Sequence, residues 1–205
     1  MEDKSKTMVK AQCDSVGMLL RVLFWGFAAF VLAAAAAGLW MAFCPEGEFA
    51  VNLPDTGGGL AGFAFFRGGW ELDLPRNLLR AEAAGAPKTV YLLGYLFFWI
   101  GWLLKLGILW QIRSIFKNID TEAAPFAEKN CRALFWVGVL IVAIGTVRSA
   151  GMPAAFRLAA LGGGQSVAAL GGEWWGCLLA GGVVFCLSYV FRYGAALQKL
   201  SDETL

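Results

Sequence analysis

Two long apolar runs separated by a short charged segment constrain this chain more than any other feature. The first spans Val90 to Ile112 and the second Ala133 to Val147. Between them lie Arg113, Lys117, Lys129 and Arg132. A helix needs about 20 apolar residues to cross a hydrocarbon core of ~30 Å. The first run has that length, and the second reaches it with its flanks. The charged segment is too short for a domain, so it reads as a tight cytoplasmic turn between two transmembrane helices. Composition agrees, since 59% of the 205 residues are hydrophobic and only 16% are charged, against about 25% charged in a soluble domain. A net charge of +2 is too small to point to nucleic acid as a direct ligand.

A further apolar run, Val16 to Phe43, follows a polar start carrying Lys4, Lys6 and Lys10. The basic start and the small-residue stretch Ala33 to Ala37 also fit a cleavable signal peptide. The run continues through Gly38 to Phe43, however, which completes a full span and favours an uncleaved first helix. Cys44 to Lys88 is rich in glycine and proline. Within it, Gly62 to Arg67 and Trp70 to Leu74 flank Gly68-Gly69, the pattern of a β-hairpin with a two-residue turn. Trp70, Leu72 and Leu74 alternate with Glu71 and Asp73, the period of a half-buried strand. This predicts a small ordered cap, with a flexible linker as the alternative. Arg76 to Ala84 has room for one or two helical turns before Gly85 and Pro87.

The chain thus reads as one membrane domain, residues 1–205, with helices at about 16–43, 89–119, 125–152 and 174–198. The outer loops are 44–88 and 153–173, and the second of these holds room for a short helix at 154–161. The fold class is all-α: a four-transmembrane-helix bundle with a small β-hairpin in the first extracytoplasmic loop. Lysine and arginine near the helix ends place both termini in the cytoplasm. The short central turn weighs most, because the long first loop offsets its four basic residues with six acids. Gly94 and Gly101, Gly138 and Gly145, and Gly176 with Ala180 offer small-residue stripes for close helix packing. Homo-oligomerisation through the same stripes stays open.

Candidate chemistry is sparse. The chain contains no histidine, which removes the usual general base and the commonest transition-metal ligand. The five cysteines, Cys13, Cys44, Cys131, Cys177 and Cys186, show no metal-site spacing. Cys44 and Cys177 fall near the outer face, where free thiols and a disulfide are both open. Gly57 to Gly59 and Gly162 to Gly164 lack the Lys-Ser/Thr of a phosphate-binding loop. Catalysis, a cofactor and a metal are therefore not expected. Ionisable residues inside a membrane are functional candidates by default. Arg21, Arg148 and Arg192 lie near helix ends and read as interfacial anchors. Lys105 is deeper, roughly 10 Å from Ile112 along a helix. It either snorkels to the headgroups or faces an internal path, as in a small transporter or channel subunit.

Two segments resemble the bacterial four-helix membrane-protein family called domain of unknown function 2975. One is Ile115-Phe116-Lys117-Asn118-Ile119 with Pro125-Phe126 and Asn130, then Leu134 and Gly138. The other is the tail from Phe191 through Gln198 to Asp202, Thr204 and Leu205. With the four spans, the resemblance extends over about residues 16–205, although the glycine-rich first loop departs from the family. The resemblance implies a multi-pass protein of the bacterial inner membrane without catalysis. It further implies a cytoplasmic partner such as a small helix-turn-helix transcriptional regulator, since such regulators are often encoded beside family members. The residues that would form its docking surface are Phe116, Pro125, Phe126, Asn130, Gln198, Asp202 and Thr204. Their bland role is to shape the turn and pack the tail against it.

Overall fold

The computed structural model describes residues 2–52, 60–66, 68–75, 78–122, 127–162 and 171–203. Side chains at 2–14, 52, 81, 120–122, 171–173, 198 and 201–203 lie outside that description. The main elements are α1 Glu2–Phe43, β1 Phe49–Asn52, β2 Leu60–Phe65, β3 Trp70–Pro75, α2 Pro87–Glu122, α3 Glu128–Thr146, α4 Met152–Leu158 and α5 Gly171–Glu203. Among the described residues, four helical stretches are long and apolar enough to cross a membrane: Ser15–Phe43, Pro87–Ile119, Glu128–Leu158 and Trp174–Leu197. The chain is a multi-pass membrane protein on that pattern. α1 begins well before the expected residue 16, so the polar N-terminal stretch is helical too. Pro87 opens α2 rather than closing what precedes it, because a missing N–H costs nothing in a first helical turn.

The third span departs from expectation. Gly151 and Pro153 predict a helix end near 152 and a connection over 153–173 with a short helix at 154–161; the short helix is present as α4, but no break separates it from α3. Instead the helix widens into a π turn over Val147–Gly151 and runs on through α4. A proline within a helix cannot bond the carbonyl four residues back, and its ring crowds that carbonyl. The wider turn absorbs the misfit, with the Met152 N–H reaching Val147 O. The Ser149 hydroxyl, buried, donates to Gly145 O at 2.7 Å.

The chain divides into two compact units. One gathers Val31–Trp102 and Gly145–Trp175. Here β1, β2 and β3 form one antiparallel sheet in that order. The expected hairpin is present, but Phe65 pairs with Trp70, so four residues rather than two make its turn. Phe66 and Gly68 carry its positive φ angles, and the Gly69 N–H closes it on Phe66 O at 3.0 Å. Leu72 and Leu74 point inward and Glu71 and Asp73 outward, as the alternation requires, whereas Trp70 is exposed. The buried core joins Phe63, Phe65 and Leu74 of the sheet to Met41 of α1, Tyr91 of α2 and Phe156 of α4. Gly94 makes the seat: a Cβ there would stand 2.7 Å from Leu72 Cδ2.

Helix ends and crossings in this unit are held by polar contacts. Lys88 Nζ donates to Cys44 O at 2.7 Å, placing a cation just past the C-terminus of α1 where the helix dipole favours it. Tyr95 and Trp99, one turn apart on α2, donate to the carbonyls of Ala34 (2.8 Å) and Val31 (3.1 Å) on α1. α4 ends in a Schellman motif, with Leu161 N–H on Phe156 O (2.9 Å) and Ala160 N–H on Arg157 O (3.0 Å). Arg80 N–H then straps onto Leu161 O at 2.9 Å.

The other unit gathers Met1–Phe30, Leu103–Ile144 and Gly176–Leu205. Its tightest crossing is α3 on α5. A Cβ on Gly138 would lie 3.2 Å from Gly181 O, and one on Gly181 would lie 3.1 Å from Gly138 O and 2.5 Å from Val142 Cγ2. Small residues do bring these backbones together, with Gly181 as the partner of Gly138. Gly101 and Gly176, expected on the same kind of stripe, face open space. Phe135 packs on Phe185 at 5.2 Å beside the crossing.

Two substitutions test this packing. Gly181→Ala is expected to destabilise by about 1–3 kcal/mol, because Val142 is stiff and backbone lies behind it. Gly176→Ala at an open position is the matched control, and thermal unfolding in detergent would compare the two. Ala160 holds φ +59° at the C′ position of the Schellman motif. Ala160→Gly is therefore expected to stabilise by about 1 kcal/mol, read as a rise in the same midpoint.

Candidate functional site

The charged segment between α2 and α3 and the end of α5 all belong to the unit built from 1–30, 103–144 and 176–205. α2 stays helical to Glu122, so Phe116 and Asn118 sit on its last turns, both half-buried. α3 starts at Glu128, three residues later than Pro125, with the Ala127 carbonyl accepting from the Asn130 N–H at 2.9 Å. Glu128 is thereby set in the first turn, where the helix dipole favours an acid.

Asn130 is 1% exposed, and its Oδ1 accepts from Asn118 Nδ2 at 3.0 Å. That bond closes the two sides of the turn across 12 positions of sequence. Beside it in sequence, Cys131 O accepts from the Ser188 hydroxyl of α5 at 3.2 Å, also buried. Arg113 stands over the Phe24 ring at 5.2 Å, and Phe24 packs on Trp110 at 5.4 Å, tying α1 to α2. Polar bonds thus lie inside this junction, and buried Asn130 contributes nothing to an outer surface.

Of the other expected docking residues, Phe116 is only half-buried on α2. Pro125, Phe126 and Thr204 lie outside the described residues. Gln198 and Asp202 continue the α5 helix, and their side chains lie outside the description. Lys105 is exposed on α2. Four cysteines, Cys44, Cys131, Cys177 and Cys186, are free thiols. Among the described residues no cluster of three Cys, Asp or Glu side chains could hold a metal ion.

The tail of α5 adds an exposed apolar face to the junction. Tyr193, Leu197 and Leu200 are all exposed on α5, and their spacing of i, i+4, i+7 puts them on one face. Arg192 and Lys199, also exposed, lie together along one side of that face. Lys117, Lys129 and Arg132 add exposed cations at the α2–α3 turn, alongside exposed Glu128. The helical spacing is legible in the sequence, but it is hidden in an apolar run that lipid alone would explain. The arrangement offers an amphipathic basic surface over a rigid polar interior.

Asn130→Ala is expected to cost about 1–3 kcal/mol, since it removes a buried side chain and its bond to Asn118. Leu200→Asp on the exposed face is expected to leave the unfolding midpoint nearly unchanged. Thermal unfolding of the purified protein in detergent reads both.

A family model described as "Protein of unknown function (DUF2975)" matches residues 77–205. Neither a curated protein nor a solved structure matches the chain. The match opens just after β3 and takes in α2 through α5, while α1 and the three strands lie outside it, a narrower extent than 16–205. It includes both segments that carried the resemblance, the α2–α3 turn with its Asn118–Asn130 bond and the tail of α5. On that match, over well more than half its length, the chain belongs to this family of proteins of unknown function.

Proposed function

We propose that this is a non-enzymatic, four-pass protein of the bacterial inner membrane whose cytoplasmic face binds a soluble protein. Both termini and the α2–α3 turn lie in the cytoplasm in this reading, where the turn's cations agree with the positive-inside rule. The observation that carries it is the exposed face Tyr193, Leu197, Leu200 with Arg192 and Lys199 along one side of it. The apolar span of α5 closes at Leu197, yet the helix continues to Glu203 and its face stays apolar at Leu200. A helix that presents such a stripe suits a partner's apolar groove or helix face, with acids on the partner meeting the flanking cations. A small helix-turn-helix transcriptional regulator, held at the membrane by this face, is the partner the family resemblance favours. The part-buried Asn118–Asn130 bond and the buried Ser188–Cys131 bond then serve as positioning contacts that fix the turn and α5.

A bifunctional crosslinker on Lys199→Cys in native membranes tests the reading. The expected product is a heterologous adduct with a small DNA-binding protein, lost when Leu200→Asp is added. Adducts solely to copies of the same chain would overturn it and favour a homo-oligomer.

A further inference from the structure

The β2–β3 hairpin tip exposes two large aromatic side chains, one at each end of its turn. Phe66 is 58% exposed and Trp70 52%. Phe66 also holds φ +53°, a left-handed conformation that bulky residues rarely adopt. A turn built to face water would place glycine or asparagine there, and the loop has glycines to spare at 68 and 69. The fold instead spends a strained position on presenting an aromatic ring outward.

What lies beside the tip says why. Trp40 occupies the last turn of the apolar span Ser15–Phe43 and is 55% exposed, so it belongs to the wall that lipid covers. Its ring meets Phe65 edge-on at 5.4 Å. Phe65 in turn lies 6.3 Å from the Phe66 ring and pairs in register with Trp70. The exposed pair is therefore one residue removed from a lipid-facing tryptophan, at the level where α1 leaves the membrane. Tryptophan and other amphipathic rings concentrate at that level, with apolar bodies in the acyl boundary and polar edges among the headgroups. On the same strand, Glu71 and Asp73 are exposed and acidic, which marks where water-facing surface begins.

We propose that the hairpin tip is a lipid-binding element, with Phe66 and Trp70 seated in the headgroup–acyl boundary beside Trp40. The cap is then moored to the membrane surface at its far edge as well as through the helices that enter it. Its ligand is phospholipid at the interface, recognised by apolar area and depth and not by a headgroup pocket.

Benzoylphenylalanine introduced in place of Phe66 in the full chain, photolysed in native membranes, tests this by intact mass. The expected result is a phospholipid adduct at that position and none from the same probe at Asp73. No phospholipid adduct at Phe66, or a polypeptide adduct in its place, would overturn the proposal. A nitroxide on Trp70→Cys, with the native cysteines replaced, gives an independent depth in phosphatidylethanolamine–phosphatidylglycerol vesicles. Collisions with oxygen should exceed those with a water-soluble nickel chelate several-fold, and the reverse order would overturn the assignment.

Discussion

A backbone amide in hydrocarbon finds no water, so every N–H and C=O crossing a membrane must be satisfied within the protein. That constraint shapes each long element here and is most visible where the sequence strains against it. Pro153 falls inside the third span and leaves the Ser149 carbonyl without its usual partner. A loop at that point would expose several more orphaned groups. The chain keeps its helix by widening one turn, with Met152 N–H on Val147 O and the Ser149 hydroxyl turned back onto Gly145 O. The helical path from Glu128 to Leu158 depends on that turn. Tyr95 and Trp99 follow the same logic, since their polar hydrogens end on the carbonyls of Ala34 and Val31.

The sheet obeys a different force. Between helices in lipid there is little hydrophobic drive, because acyl chains are as apolar as leucine. Accordingly only 11–28% of each span's most apolar window is buried. The buried core is concentrated where Phe63, Phe65 and Leu74 of the strands meet Met41, Tyr91 and Phe156 at helix ends. Three short strands need a buried hydrophobic face to be stable. They are stable here because α1, α2 and α4 lend their ends to the core, and because Gly94 lets the leucines of β3 approach the backbone of α2.

The same division of forces decides what the sequence shows. The spans are legible because length and hydropathy are their cause. The hairpin is legible because Gly68 and the alternation of Leu72 and Leu74 with Glu71 and Asp73 are local. β1 is not, since four residues carry little periodic signal and its partner β2 supplies the register. The passage through Gly151, Met152 and Pro153 reads as a stop, because a π turn leaves no residue signature. Trp70 shares a face with Leu72, yet it is exposed at the closing end of the hairpin, opposite buried Phe65. At the junction, motif residues and structural residues look alike in sequence. Asn130 stands out in the family resemblance, yet it is buried on Asn118, a pairing that only the folded turn reveals.

That outcome moves the weight of the proposed surface from the turn's buried amide to α5. The junction is inverted relative to a soluble protein: Asn118, Asn130 and Ser188 bond inside, while Tyr193, Leu197 and Leu200 face out. Within lipid the inversion costs nothing. Past the end of the apolar span it does, and Leu200 at 59% exposure lies past that end. Lipid headgroups can shelter one such side chain, and Leu200 continues the face that Tyr193 and Leu197 begin within the span. In the proposed reading, a partner carrying an apolar seam and acids would cover that face. In the same reading, Ser188 on the carbonyl of Cys131 also holds the rotation of α5 and with it the direction in which that face points.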